Sequence, residues 1–313
     1  MLRFNTMQHN DPPAWDARLE DDCRQLIRLA VREDLERAND WTTIALVGRE
    51  AQGRANVVAR RAGVIAGLPA LVMISAEYDR LLEVTPRVTD GKQVAAGEIL
   101  AEIRGPARSL LTAERPMLNL LGHLSGIATV TRQYVDAIAG TKAHILDTRK
   151  TLPGWRLLEK YAVRCGGGFN HRIGLFDGVL IKDNHLALGA DPAAGAPFTP
   201  ATAVVHARAF VAKIAAETGG SPLPVEIEVD SLEQLDQVLP ENPDIVLLDN
   251  MPPEVMAEAV RRRDAVSPKV LLEASGGIDL TTVAAAARSG VDRISVGALT
   301  HSAPWFDVAL DWQ

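Results

Sequence analysis

The 313-residue sequence predicts an α/β protein, with a smaller α+β domain preceding an α/β barrel. Three observations carry that prediction. From residue 142 onward, short apolar runs alternate with helical stretches, the beat of βαβ units and a parallel sheet. Nearly every run ends in charged or glycine-rich residues, and strand C-termini are where α/β barrels collect their active-site groups. The first third lacks this beat and mixes one amphipathic helix with short strands and glycine turns.

The elements follow in order. In "PPAWDARLEDDCRQLIRLAVREDL", Leu19, Cys23, Leu26, Ile27, Ala30 and Val31 recur at helical spacing. "GRANVVARRAGVIAGLPAL" and "LLEVTPRVTDGKQVAAGEILAEIRG" read as strands broken by glycine, DG and AG turns. These segments place an N-terminal domain over 1–117; the tail 302–313 is expected to return to it. "ARSLLTAERPMLNLLGHLSGIATVTRQYVDAIAG" is helical in period, with Pro116 at a first turn or a kink. The barrel is expected over 118–301, with strands "AHILDTRK", "DGVLIKDNH", "VEIEVD", "DIVLLDN", "KVLLEASGG" and "RISVGAL". "VVHARAFVAKIAAET", "LEQLDQVL", "PPEVMAEAVRRR" and "DLTTVAAAARSG" supply its helices.

Composition narrows the function. A net charge of −7 excludes a general nucleic-acid binder, which needs a basic face. One segment runs against that charge: between Lys142 and Lys182 there are eight Lys or Arg against Asp147, Glu159 and Asp177. A basic segment in an acidic chain points to small anionic ligands held in a pocket. Cys23 and Cys165 form no C-x-x-C pattern, which fits a reducing cytoplasm rather than a disulfide or zinc framework. Neither a secretory apolar segment nor a membrane-length run is present in the sequence, so a soluble cytoplasmic protein without a membrane partner is expected.

The strand ends carry the chemistry. Arg149, Lys150, Arg172 and Lys182 are cations at strand ends or in adjoining loops, suited to carboxylate and phosphate oxygens. Arg156, Lys160 and Arg164, spaced four apart, read as a solvated helix face. Glu228 and Asp249 end two further strands and can hold Mg²⁺, accept sugar hydroxyls or ease an oxocarbenium-like centre. Glu226 shares the parity of Glu228, so the pattern leaves open which of the two faces the site. Ser275, Gly276, Gly277 and Gly297 end the last two strands, where barrels bind phosphate through backbone N–H groups. "RCGGGFNHRIG" reads as a flexible loop that places His171 and Arg172, with His171 as a further anion contact. Lys182 could be a Schiff-base nucleophile or a charge clamp. Three neighbouring cations exceed what an imine site needs, so the clamp is favoured.

The blocks "TAERPMLNLLGHLSGIAT", "LDTRKTLPGWRLLEKYAVRCGGGFNHRIGLFDGVLIKDNH", "EIEVDSLEQL", "LLDNM", "EASGGI" and "SVGALTHSAP" resemble, in order, the quinolinate phosphoribosyltransferase family. That resemblance implies an N-terminal α/β sandwich domain plus an incomplete α/β barrel, the type II phosphoribosyltransferase fold. It implies phosphoribosyl transfer from phosphoribosyl pyrophosphate to quinolinate with decarboxylation, Mg²⁺ as cofactor, and a homodimer or a higher assembly with shared active sites. By the same resemblance, Arg115 is an arginine donated to the partner subunit's site. Arg149, His171, Arg172 and Lys182 contact quinolinate and phosphate, and Lys150 lies on the pyrophosphate side. Glu228 and Asp249 serve ribose and metal, and Ser275, Gly276, Gly277 and Gly297 cradle the 5′-phosphate. Two departures stand out: "ALGADPAAGAPFTPATA" (187–203) is long for the family, and Trp155 replaces a smaller apolar residue. A molybdenum-transport-associated relative and a catalytically dead scaffold are the rival readings; the intact set of charged residues argues against both.

Overall fold

The computed structural model describes residues 14–190 and 195–313. They fall into two compact units: residues up to 133 with 150–168 and 298–313 form one, and 134–149 with 169–297 the other. The first is called the N-terminal unit below, the second the barrel unit.

In the N-terminal unit, helix α1 (Ala17–Leu35) begins at Asp16, whose carboxylate accepts the Leu19 N–H at 2.8 Å. It buries Leu19, Cys23 and Ile27, one stripe at intervals of four. Helix α2 (Trp41–Leu46) follows, capped by Asp40. Then come β1 (Gln52–Ala59), β2 (Gly63–Val64), α3 (Leu68–Tyr78), β3 (Glu83–Pro86), β4 (Gln93–Val94) and β5 (Ile99–Pro106). Near the chain end, β12 (Val308–Trp312) pairs antiparallel with β1, Ala55 opposite Trp312, giving a sheet of order β12-β1-β5-β3. Helix α4 (Ala107–Ala137) is long and uninterrupted. Pro116 is therefore not at its first turn but inside it, and the domain boundary expected at 117 falls within this helix.

Helix α5 (Arg156–Cys165) belongs to the same unit and overturns one sequence reading. Lys160 is 1% exposed and Glu159 fully buried, so this is no solvated face. Glu159 takes the His123 Nε2 at 2.9 Å, and Arg164 donates to the Gly168 carbonyl at 2.9 Å. The glycine run after the helix is packed, not loose. A Cβ at Gly166 would lie 2.5 Å from the Ala128 carbonyl oxygen, and one at Gly168 2.7 Å from Thr131 Cγ2. Glycine stands at both positions because backbone and helix approach too closely for a side chain.

The barrel unit is a six-stranded parallel sheet. Its strands are β6 (His144–Leu146), β7 (Val179–Ile181), β8 (Val225–Val229), β9 (Ile245–Asp249), β10 (Leu271–Ser275) and β11 (Arg293–Ser295). The order β6-β11-β10-β9-β8-β7 is a barrel opened between β6 and β7. At that seam Phe169 bridges Leu146 in parallel, its N–H donating to the Ile145 carbonyl at 2.8 Å. Helices α6 (Asp183–Leu188), α7 (Pro200–Thr218), α8 (Leu232–Val238), α9 (Pro253–Val266) and α10 (Val283–Arg288) connect the strands, and α11 (Ala298–His301) follows β11. The segment singled out at 187–203 ends α6 and starts α7; residues 191–194 lie outside the described residues, as do 1–13 of the expected first domain. No helix among the described residues is long and apolar enough to cross a membrane.

Register separates the two faces of this sheet. Ile145, Ile181, Val225, Ile227, Val229, Val246, Leu248, Leu272, Ala274 and Ile294 share one face, every one of them buried. Glu226, Glu228, Leu247, Asp249, Glu273, Ser275, Arg293 and Ser295 share the other. The strands are covered on both faces, yet only one face is apolar. The second is a charged interior, deep at Glu226 and Glu273 and opening toward the strand C-termini.

Candidate active site

Ten of the twelve sequence-predicted residues lie in the barrel unit: Arg149, Lys182, Glu228, Asp249, Ser275, Gly276, Gly277 and Gly297 at or near strand C-termini, and His171 and Arg172 in the connection between α5 and β7. Arg115 and Lys150 lie in the N-terminal unit, Arg115 exposed on α4 and Lys150 exposed where the chain leaves Arg149.

The register question between the two glutamates is settled by depth. Both face the interior, Glu226 opposite Leu180 and Glu228 one step nearer the mouth, opposite Leu247. Glu226 is buried, whereas Glu228 is half-buried and pairs with the Lys182 ammonium. Lys182 stands immediately after β7 as the first residue outside α6, where its backbone N–H donates to His185 Nδ1 at 2.9 Å. Its side chain keeps 42% of its surface exposed. A Schiff-base lysine needs an apolar, desolvated setting. Lys182 has water and a carboxylate instead, so the nucleophile reading falls.

Arg172 is buried, and its Nη1 donates to the Gly178 carbonyl at 3.0 Å. Burial pushes its pKa down, and the neighbouring Arg149 guanidinium adds to that. Two guanidiniums this close repel each other, and an anion between them relieves both. Asp249 ends β9 opposite Ser275, half-buried, with Oδ2 accepting from Asn250 Nδ2 at 2.8 Å. The Asn250 N–H donates to the Ser275 carbonyl at 2.9 Å, which ties the two strand ends together.

Gly276 and Gly277 follow with φ +89° and +62°, left-handed at consecutive positions. Successive N–H groups in such a turn form an anion-binding concavity. A Cβ on Gly276 would overlap the Asn250 side-chain amide, so strain and collision both demand glycine there. Gly276→Ala is therefore expected to raise the KM for a phosphorylated substrate by about tenfold or more while leaving soluble protein. Steady-state kinetics with that substrate varied is the check, and an unchanged KM would remove the turn from the site.

His171 has partners that the sequence does not show. It is buried with Nε2 3.1 Å from Glu226 Oε2 and 3.3 Å from Glu273 Oε1, so its ring meets two carboxylates. Burial disfavours charge on the ring, but Glu273 and then Glu226 outweigh it and push the pKa up. The Arg172 N–H, 2.7 Å from Nδ1, works the other way because it needs a lone pair there. The contacts fit a proton on Nε2 shared between the carboxylates. Behind the ring, Glu273 is held as a carboxylate by His171 and by Arg293, whose Nε lies 2.5 Å from Oε2, and Ser295 Oγ donates to Oε1. Asp147, fully buried, accepts the His171 N–H at 2.9 Å and Asn170 Nδ2 at 2.5 Å.

Glu273, Arg293 and Asp147 escaped the sequence reading. The first two carried a usable signal: in "VLLEASGG" Glu273 sits two residues before Ser275, and in "DRISVG" Arg293 sits two before Ser295 and four before Gly297. A period-of-two count places both on the face that the site residues share.

A parallel barrel unit whose strand ends gather guanidiniums, a lysine, two carboxylates and a left-handed glycine turn defines an enzyme that handles small polyanions. The chain matches the family model described as quinolinate phosphoribosyl transferase, N-terminal domain, over residues 40–125, and the C-terminal domain of the same family over 127–311. It belongs to the quinolinate phosphoribosyltransferase family. It is 49% identical over 293 residues to the nicotinate-nucleotide pyrophosphorylase (carboxylating) of Mycobacterium leprae, covering 93% of this chain and 97% of that one. A Bacillus subtilis protein named as a probable nicotinate-nucleotide pyrophosphorylase (carboxylating) is 38% identical, with 87% of each chain covered. Among solved structures, the nicotinate-nucleotide pyrophosphorylase of Francisella tularensis superposes with a TM-score of 0.83 at 37% identity, covering 99% of this chain and 100% of that one. The fold is accordingly the type II phosphoribosyltransferase fold.

Proposed function

We propose that this chain transfers a phosphoribosyl group from phosphoribosyl pyrophosphate to quinolinate and releases CO₂, giving nicotinate mononucleotide and pyrophosphate for NAD synthesis. The observation that carries the reading is the cation set of the barrel unit, Arg172 beside Arg149 with Lys182 paired to Glu228. A pyridine dicarboxylate brings two negative charges to the side where the Arg172 and Arg149 guanidiniums repel each other. Arg149 and Arg172 take carboxylates as forks, and Lys182 leaves Glu228 to add a point charge.

The Ser275-Gly276-Gly277 turn and Gly297 hold the 5′-phosphate through backbone N–H groups. The pyridine nitrogen attacks the anomeric carbon as the C–O bond to pyrophosphate breaks, the electron pair leaving with the pyrophosphate oxygen. Lys150, next in the chain after Arg149, draws charge from that leaving group. Glu228 and Asp249 ease the positive charge that develops on the ribosyl carbon. The bond to the 2-carboxylate then breaks, CO₂ departs, and the electron pair stays on the ring carbon beside the quaternised nitrogen until it is protonated. Orientation and fixed charge do this work without a covalent enzyme intermediate.

The donor set fits Mg²⁺: Glu228 and Asp249 offer carboxylate oxygens from adjacent strands, and Mg²⁺ usually takes one or two carboxylates together with substrate phosphates. Those two carboxylates would hold it, and it would supply positive charge against the pyrophosphate. The family relationship supports a cytoplasmic homodimer in which Arg115, exposed on α4, reaches the partner's site.

The test supplies quinolinate labelled in its 2-carboxylate, phosphoribosyl pyrophosphate and Mg²⁺ and follows labelled CO₂. Release that depends on phosphoribosyl pyrophosphate supports the reading. Mononucleotide formed from nicotinate but not from quinolinate would replace it with the non-decarboxylating reaction.

A further inference from the structure

Beneath the strand ends, the barrel interior holds a buried charged group that the reaction above does not touch. Glu226, Glu273 and Arg293 are each at most 3% exposed. His171, Glu226 and Glu273 bring three ligand-type atoms within 4.8 Å of one another, the spacing of a metal site. Arg293 Nε at 2.5 Å and Ser295 Oγ already engage the two Glu273 oxygens, so that carboxylate is neutralised and hydrogen-bonded without a metal ion. The group closes on the His171 ring instead.

From that ring the connections lead outward. Glu226 and Glu273 fix Nε2 from two sides, and Asp147 fixes the His171 backbone. Nδ1, turned the other way, accepts the N–H of Arg172. The guanidinium of Arg172 is anchored on Gly178, so its reach depends on where its own backbone starts. We propose that Glu226, Glu273 and Arg293 are positioning residues for quinolinate, holding the His171 ring and through it the backbone from which Arg172 projects. The inference rests on the reading of Arg172 as a quinolinate contact. The cost of such an arrangement explains why it needs a function: charged groups buried this deeply are seldom better than apolar ones for stability alone.

Glu226→Gln tests it, because glutamine keeps the shape and an acceptor for Nε2–H and leaves Glu273 and Arg293 paired. The KM for quinolinate should rise about tenfold, the order expected when one hydrogen bond to a charged group is weakened, with the KM for phosphoribosyl pyrophosphate within about twofold. Glu273→Gln, which meets the same nitrogen from the other side, should show the same split. Equal changes in both KM values, no change in either, or two variants that fail to fold would each overturn the positioning role in favour of a structural one. Turnover of quinolinate by the unaltered chain is the control. Its absence would overturn the functional reading itself, whereas turnover with an unsplit KM overturns only this inference.

Discussion

Lys182→Ala should lower kcat/KM for quinolinate by about 10²–10³-fold, the loss seen when one fixed electrostatic partner of a reacting group is removed. The fold should not notice. The Lys182 side chain is 42% exposed, and exposed ion pairs contribute only about 0–1 kcal/mol. The chemical loss is larger because it is double. The substrate loses a positive charge, and in the free enzyme Glu228, without its Lys182 partner, repels the dicarboxylate as it approaches. Lys182→Arg should recover part of the binding but little of the rate, since a planar fork cannot replace a point charge at the same reach. Initial rates with each substrate varied, beside thermal unfolding of the same preparations, separate the two effects. Near-normal turnover in Lys182→Ala would refute the clamp.

How much of this was legible in the sequence depended on what fixes each feature. The strand-helix beat after residue 142 is local, so β6 to β11 fall on the six runs read from it. The places of Glu228, Asp249 and Ser275 in the fold were legible for the same reason: Asp249 and Ser275 end β9 and β10, and Glu228 stands one residue before the end of β8. The α5 reading failed because four-residue spacing of charges looks alike on a wet helix and a buried one. Lys160 is buried only because long-range packing closes over it, and periodicity carries no record of that. The partners of His171 were hidden in a similar way. A histidine beside a glycine run looks loop-borne, yet its partners Glu226 and Glu273 are 55 and 102 residues away in the chain. The glycines themselves were misread as slack, when Gly166 and Gly168 are small because Ala128 and Thr131 press on them.

The largest expected effect on stability lies at Arg293. Its side chain is 3% exposed with Nε 2.5 Å from a fully buried Glu273. Arg293→Met keeps the volume and removes the charge, leaving Glu273 in a low-dielectric interior with one cation fewer. Breaking a buried pair from one side costs about 3–5 kcal/mol, since the remaining charge loses its partner without regaining water. Denaturant midpoints should fall accordingly, and a midpoint equal to that of the unaltered chain would show that the pair does not bear on folding. The double variant Arg293→Met with Glu273→Leu separates folding from function. Replacing both partners by apolar groups of similar size is often neutral or better, so much of the lost stability should return. Quinolinate affinity should not return with it, because His171 would then have lost one of the two carboxylates that hold its Nε2. A chain that recovers its fold and remains weak for one substrate alone is what a charged interior kept for positioning predicts; recovery of both together would mean that the interior serves the barrel and nothing beyond it.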